Sequence, residues 1–218
     1  MSKFSFDTIK NFDRHIESSI PRYSDIHACI DGILGYFVKD DARIFDIGCS
    51  TGKMLKRIDA AYANKRLELI GYDTAENLLP KNSGKCSFRN VDILSDRAVI
   101  ISADIVFCLF TMCFIPLKLR AALMKKIYSG LVDGGIFICA EKLYAESPKM
   151  QNVFTFLYYD FKMKSFNEKE ILSKEKDLRE IQEPLSASKN EEMFRSVGFS
   201  TVEMFWKYYS FAAWVCVK

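Results

Sequence analysis

Apolar positions along the chain change their period several times, and the changes divide it into elements. Ile9, Phe12, Ile16 and Ile20 recur at helical spacing until Pro21 interrupts them; Ile26, Ile30, Ile33, Leu34 and Phe37 mark a second amphipathic helix. Five short runs follow, at 43–47, 67–72, 86–90, 104–110 and 136–140, several of them apolar on both faces. Such runs between helical stretches imply strands buried between helix layers, hence a parallel sheet. Before the fifth run Leu119, Leu123, Ile127 and Leu131 step by four along one helix face, and Asp133-Gly134-Gly135 supplies the turn that starts the strand. Over 147–181 the pattern is helical again, with Met150, Val153, Leu157 and Phe161 as one stripe and Ile171, Leu178 and Ile181 as another. The runs 201–206 and 209–217 are joined without room for a crossover helix, so they should pair antiparallel.

The pattern predicts one α/β domain: amino-terminal helices (1–40), a core (41–146), a helical insertion or lid (147–197) and a closing β pair (198–218). Its sheet is seven-stranded and mostly parallel, with an antiparallel closing strand. The 218 residues, 49% hydrophobic, suffice for one core of that size. A net charge of +3 spread along the chain permits nucleic acid without predicting it. Seven cysteines, mostly in apolar runs and without a Cys-x-x-Cys pair, read as small core residues of a reducing cytoplasm. No long apolar stretch follows the charge near the amino terminus and none reaches the roughly 18 residues of a membrane span, so no membrane partner is expected. His15 and His27, in the entry helices, read as surface or capping residues.

The chemistry concentrates in Phe45-Asp46-Ile47-Gly48-Cys49-Ser50-Thr51-Gly52-Lys53, where an apolar strand ends in a glycine loop and a helix follows. A dinucleotide fingerprint needs glycines at 48, 50 and 53, but Ser50 and Lys53 stand there. A phosphate loop fails because its spacing is one residue short and Met54 sits where the metal-binding hydroxyl belongs. What remains, Asp-x-Gly-x-x-x-Gly, resembles the loop of class I methyltransferases. Asp73 ends the second strand, where a carboxylate can accept from ribose hydroxyls. Asp92-Ile93 follows the third strand, placed for an adenine amino group and ring, and Leu109 ends the fourth, offering its backbone. The resemblance implies a Rossmann-like class I methyltransferase fold binding S-adenosylmethionine, with Cys49 too crowded by ligand to be a nucleophile.

Phe12-Asp13, Ser19-Ile20-Pro21-Arg22-Tyr23-Ser24, Lys126-Ile127-Tyr128-Ser129-Gly130-Leu131, Glu141-Lys142, Asp160-Phe161-Lys162 and Gly198-Phe199 make the chain similar, nearly end to end, to the carboxy-S-adenosylmethionine synthase family. This likeness implies a homodimer that takes S-adenosylmethionine and a carboxylate donor, prephenate, and serves wobble-uridine modification in tRNA. By carry-over Tyr23, the Gly48 to Ser50 loop, Asp73, Asp92 and Ile93 hold the nucleoside and methionine, with Thr74 where the family has asparagine. Two departures stand out: Leu109 replaces an asparagine, and Glu175 falls, counting back without gaps from Gly198-Phe199, where the family has the arginine that pairs with the carboxylate on sulfur. Four residues after Ile171 and three before Leu178, Glu175 faces the apolar stripe. Two like charges about 4 Å apart cost roughly 4 kcal/mol at an effective dielectric near 20, about a thousandfold in binding.

That repulsion favours methyl transfer to an unidentified small-molecule acceptor, with Tyr23, Tyr159, Asp160 and Glu175 on its side. Carboxy-S-adenosylmethionine synthesis is the alternative. A one-residue slip would put Lys174 or Lys176 in the pocket instead, and Glu175 could equally pair with a lysine on a charged helix. A nucleic-acid-binding module, resting on Trp206, Lys207, Tyr208 and Tyr209, is a third reading.

Overall fold

The computed structural model describes residue 9 and residues 11–218; the segment on which the absence of an apolar leader was read lies largely outside the described residues. Two helices open the fold, α1 (Phe12–Ser19) and α2 (Tyr23–Phe37). The core then alternates as β1 (Arg43–Ile47), α3 (Lys53–Ala61), β2 (Glu68–Asp73), β3 (Cys86–Asn90), β4 (Ala103–Leu109), α4 (Leu117–Gly130) and β5 (Leu131–Lys142). Three helices, α5 (Pro148–Lys162), α6 (Glu168–Arg179) and α7 (Ala187–Ser196), precede the hairpin β6 (Thr201–Tyr208) and β7 (Phe211–Val217).

The seven strands form one sheet in the order β3-β2-β1-β4-β5-β7-β6. β1 to β5 run parallel, and β7 is antiparallel to both β5 and β6. Apolarity on both faces decides which hairpin strand enters the sheet: Ala212, Ala213, Trp214 and Cys216 of β7 are fully buried, whereas β6, partly exposed, takes the edge. The Tyr209-Ser210 link holds Tyr209 at φ +48, as a two-residue reversal between twisted strands requires. Because β1 and β4 are neighbours whose following chains depart to opposite sides, a crevice opens at their carboxyl ends.

Several expectations are corrected. Asp133-Gly134-Gly135 does not precede the fifth strand; it lies inside it, in a bulge opposite Ala103 and Ile105, where Gly134 takes φ +75. The stripe Met150, Val153 is exposed, and the buried side of α5 carries Tyr158 and Lys162, because α5 leans on the entry helices and Tyr158 Oη donates to Ser19 O at 2.9 Å. Cys29 is exposed, unlike the other six cysteines. His27 is buried, sharing with Tyr23, Ile30 and Leu34 the face that meets the sheet. The helix α7, not marked by periodicity, docks through Phe194, whose ring meets Phe137 and Trp214 at 5.8 Å each. Truncating Phe194→Ala should therefore lower stability by about 3–5 kcal/mol in urea unfolding; a loss below about 1 kcal/mol would mean the pocket simply collapses.

Candidate cofactor site

The chain leaves β1 through a loop in which Gly48, Ser50 and Gly52 take φ +75, +49 and +68. Gly48 N and Cys49 N both donate to Tyr72 O, at 2.8 and 3.1 Å, and Ser50 N donates to Asp73 Oδ2 at 2.8 Å. The other oxygen of Asp73 accepts from Ala75 N at 2.8 Å, so one carboxylate fastens the glycine loop and the chain beyond β2 together. A Cβ on Gly48 would lie 2.1 Å from Thr111 Oγ1, in a backbone conformation that side chains disfavour. Contact, not only backbone freedom, demands glycine there.

A cavity of about 470 Å³ opens over this loop, within the usual range for small-molecule sites of roughly 300–1,000 Å³. Tyr23 from α2, Asp46, Gly48, Cys49 and Ser50 from the end of β1 and its loop, Asp73 and Thr74 at the tip of β2, Asp92 and Ile93 beyond β3, and Leu109 from β4 all border it. The ten positions named from the sequence are thus brought together. The entry helix α1 forms a further wall, tied to the start of α3 by Thr51 Oγ1 donating to Asp13 Oδ1 at 2.8 Å and by the Lys53–Glu17 pair at 2.7 Å.

Asp46 is buried, and loss of solvation, followed by the charge of Asp73, pushes its carboxyl up to about 7. Cys49 is a buried thiol, raised well above the ordinary range by burial, and so no nucleophile at neutral pH. Beside the cavity Glu141, also raised to about 7 by burial, accepts from Met112 N and Cys113 N at 2.8 and 2.9 Å. It braces the short 3-10 turn that follows β4.

Of the four positions named for the acceptor side, Tyr23 borders the cavity and the other three do not. Tyr159 is half-buried against Phe156 and Tyr158, and Asp160 is exposed, at the edge of a separate depression of about 160 Å³. Glu175 faces inward as its stripe implies, but its Oε1 lies 3.8 Å from Lys142 Nζ behind the wall. In its place Lys174 borders the cavity, together with Lys142 and Tyr158. Lys162, 1% exposed, lies beneath, its ammonium 5.3 Å from the Tyr158 ring. Among the described residues, the ammonium groups of Lys142, Lys162 and Lys174 thus stand near the Glu175 carboxylate. Burial, then Lys162, lowers Lys174 to about 7, and it touches His15, which burial and Lys174 together lower to about 4. The sequence reading named Lys174 only as a slip of register and gave Lys142 no role; nothing in the helical period told their direction apart from that of Glu175.

Glycine loop, acidic strand tips and sheet order together define the class I S-adenosylmethionine-dependent transferases. Human N-acetylserotonin methyltransferase in complex with SAM shares the fold at TM-score 0.54 and 16% identity, over 81% of this chain and 47% of that one. A chain of the complex between the Haloferax volcanii Trm112 methyltransferase activator and a methyltransferase shares it at TM-score 0.60 and 15% identity, over 89% of this chain and 91% of that one. No protein-family model matches. Carboxy-S-adenosyl-L-methionine synthases do: that of Methylococcus capsulatus is 32% identical over 95% of this chain and 89% of its own, and that of Nitratiruptor sp. 35% identical over 99% and 93%. The protein belongs to the carboxy-S-adenosyl-L-methionine synthase family and is an S-adenosylmethionine-dependent transferase. Among the described residues no helix is long and apolar enough to cross a membrane.

The raised carboxyl of Asp46 has a consequence for stability. Its folded value, about 7, lies above its ordinary 3.8, so its contribution is fully present below pH 3.8 and is lost as pH rises through 7. The lowered histidines, His15 and His27, act oppositely: their contribution is present above pH 6.5 and lost as pH falls through about 4. Asp46→Asn should therefore melt above the wild type at about pH 8, with the margin closing toward pH 4. A margin independent of pH in thermal melts would show that Asp46 does not titrate in this range.

Proposed function

We propose that this enzyme carboxylates the sulfonium methyl of S-adenosylmethionine, taking the carboxylate from an anionic donor held by Lys174 and Lys142. The observation that carries the reading is that Lys174 and Lys142 both border the cavity beside Tyr158, with Lys162 close behind them. The names of the family's curated members support it. The repulsion expected from Glu175 is offset, since that carboxylate is engaged by Lys142 and a cation borders the cavity one residue earlier. An ammonium about 4 Å from a carboxylate contributes roughly 4 kcal/mol at an effective dielectric near 20, the same magnitude with the favourable sign. Lys174, lowered to about 7, gains its proton more firmly when an anion arrives, so donor binding and charging reinforce each other.

The cofactor would lie with its ribose at Asp73, its adenine at Asp92 and Ile93, and its methionyl part toward the glycine loop and Tyr23. Buried polar atoms bordering the cavity fit such a ligand. The bound sulfonium would supply a methyl carbon acidic enough to lose a proton as it bonds to the donor's carboxylate carbon; the donor's own bond to that carboxylate breaks, and the hydroxide that prephenate expels on decarboxylation takes the proton as water. The chain's own work is to align the donor with it and to keep water out, with Ile20, Leu178 and Phe211 on the apolar wall. Leu109, where the family has asparagine, leaves only its carbonyl for this purpose, and that carbonyl accepts from Thr111 Oγ1 at 3.2 Å. By the same kinship the enzyme would act as a cytoplasmic homodimer whose product serves tRNA modification.

Methyl transfer to an amine-bearing acceptor is the second reading, and one observation favours it: among the described residues Glu175 Oε1 is buried without a hydrogen-bond partner. Mass spectrometry separates the two. Incubation with S-adenosylmethionine and prephenate should yield a species about 44 Da heavier than the cofactor; its absence at full enzyme loading removes the first reading. Lys174→Met should cut that product at least tenfold while leaving S-adenosylmethionine affinity within about twofold, and an undiminished yield would relieve Lys174 of the role. Asp73→Ala should weaken cofactor affinity by about 1.5–3 kcal/mol in calorimetry; unchanged affinity would move the ribose elsewhere.

A further inference from the structure

His15 has no part in the chemistry above, although its partner does. On α1, one turn before Ser19, it is half-buried and reaches across to α6, where its Nε2 touches Lys174 Nζ. Its ring stands edge-on to that of Phe166, centroids 5.6 Å apart, and the Lys162 ammonium lies 5.5 Å from the same Phe166 ring. The helix that carries His15 is itself tied down, to α3 by the Thr51–Asp13 and Lys53–Glu17 contacts and to α5 by Tyr158 Oη donating to Ser19 O. The imidazole is therefore a fixed point among long, flexible side chains.

A fixed point matters because Lys174 stands in a cationic surrounding. Burial, then Lys162 of α5, disfavours its charge; Glu175, next to it on α6, favours the charge, and Lys142 of β5 disfavours it again. A lysine in that field would swing its flexible stem outward, away from the cavity. An acceptor on α1 opposes the swing. His15 accepts only while uncharged, and burial, then Lys174 and Lys162, lowers it to about 4, so at neutral pH it keeps a lone pair. The contact assigns that lone pair to Nε2, and an amine or an ammonium on Lys174 can donate to it alike.

We propose that His15 is a positioning residue for the anionic donor: accepting from Lys174 through Nε2, it holds the lysine nitrogen at the cavity wall before the donor arrives. A long side chain fixed in advance loses less freedom on binding. The assignment rests on Lys174 anchoring the donor as proposed above, and it makes α1 part of the donor's subsite.

Calorimetry of prephenate on the full chain saturated with S-adenosylhomocysteine, which has no methyl to carboxylate, reads donor binding without turnover. His15→Leu should weaken prephenate about tenfold or more and S-adenosylhomocysteine by less than about twofold, while His15→Gln, whose carbonyl can take the Lys174 bond, should restore most of the loss. Since the histidine acts through the lysine, adding His15→Leu to Lys174→Met should cost less than about twofold beyond Lys174→Met alone. Full additivity in that cycle, an undiminished affinity in His15→Leu, equal losses of prephenate and S-adenosylhomocysteine, or no rescue by His15→Gln would each overturn the assignment while leaving Lys174 as the anchor. Prephenate affinity unchanged in Lys174→Met, or no binding of prephenate by the loaded wild type, would instead overturn the anchor and the histidine's role with it.

Discussion

The site depends on the seam between the loop after β1 and the tip of β2. Two backbone N–H groups of the loop share the carbonyl of Tyr72, and a third donates to the carboxylate of Asp73, so the loop is held by an adjacent strand of the same sheet. On its other side Gly48 is pressed against Thr111, beyond β4. The loop therefore spans the crevice where strand order reverses, and its left-handed residues Gly48, Ser50 and Gly52 are fixed by hydrogen bonds and contact together. Strain of this kind persists only where surrounding structure over-determines it, and here the surroundings are the three strands that frame the cavity.

Around that seam the charges are sorted. The acidic groups Asp46, Asp73 and Asp92 stand at the ends of β1 and β2 and beyond β3, while the ammonium groups Lys142, Lys162 and Lys174 gather where α5 and α6 close over the end of β5. A cationic sulfonium facing the first group and an anionic donor facing the second would each meet opposite charge. Burial makes both groups responsive, raising Asp46 to about 7 and lowering Lys174 to about 7. Burial thus leaves each of them ready to gain or lose its charge near pH 7.

The parallel core and the residues that border the cavity were legible because both are written locally. A run apolar on both faces can only be an interior strand, and a glycine loop followed by acidic strand tips keeps its order whatever the rest of the fold does. Less legible was the insertion. Met150 and Val153 look like a core stripe yet are exposed, while Tyr158 and Lys162 are buried, since a long lysine can pack its stem and place its ammonium over an aromatic ring. His27 hides for the same reason: a polar residue beside an apolar stripe is ambiguous until its facing element is known.

By itself the sequence determined the sheet, the entry helices, the closing hairpin and the ten residues around the cavity, because strand burial and loop chemistry are properties of contiguous segments. Tertiary structure alone decided which lysine meets the cavity, which face of α5 is inward, and that a histidine stands buried on the wall. Those outcomes turn on the rotation of one helix against its neighbours. Adjacent residues such as Lys174 and Glu175 point about 100° apart on a helix, and only packing fixes which of the two looks into the site.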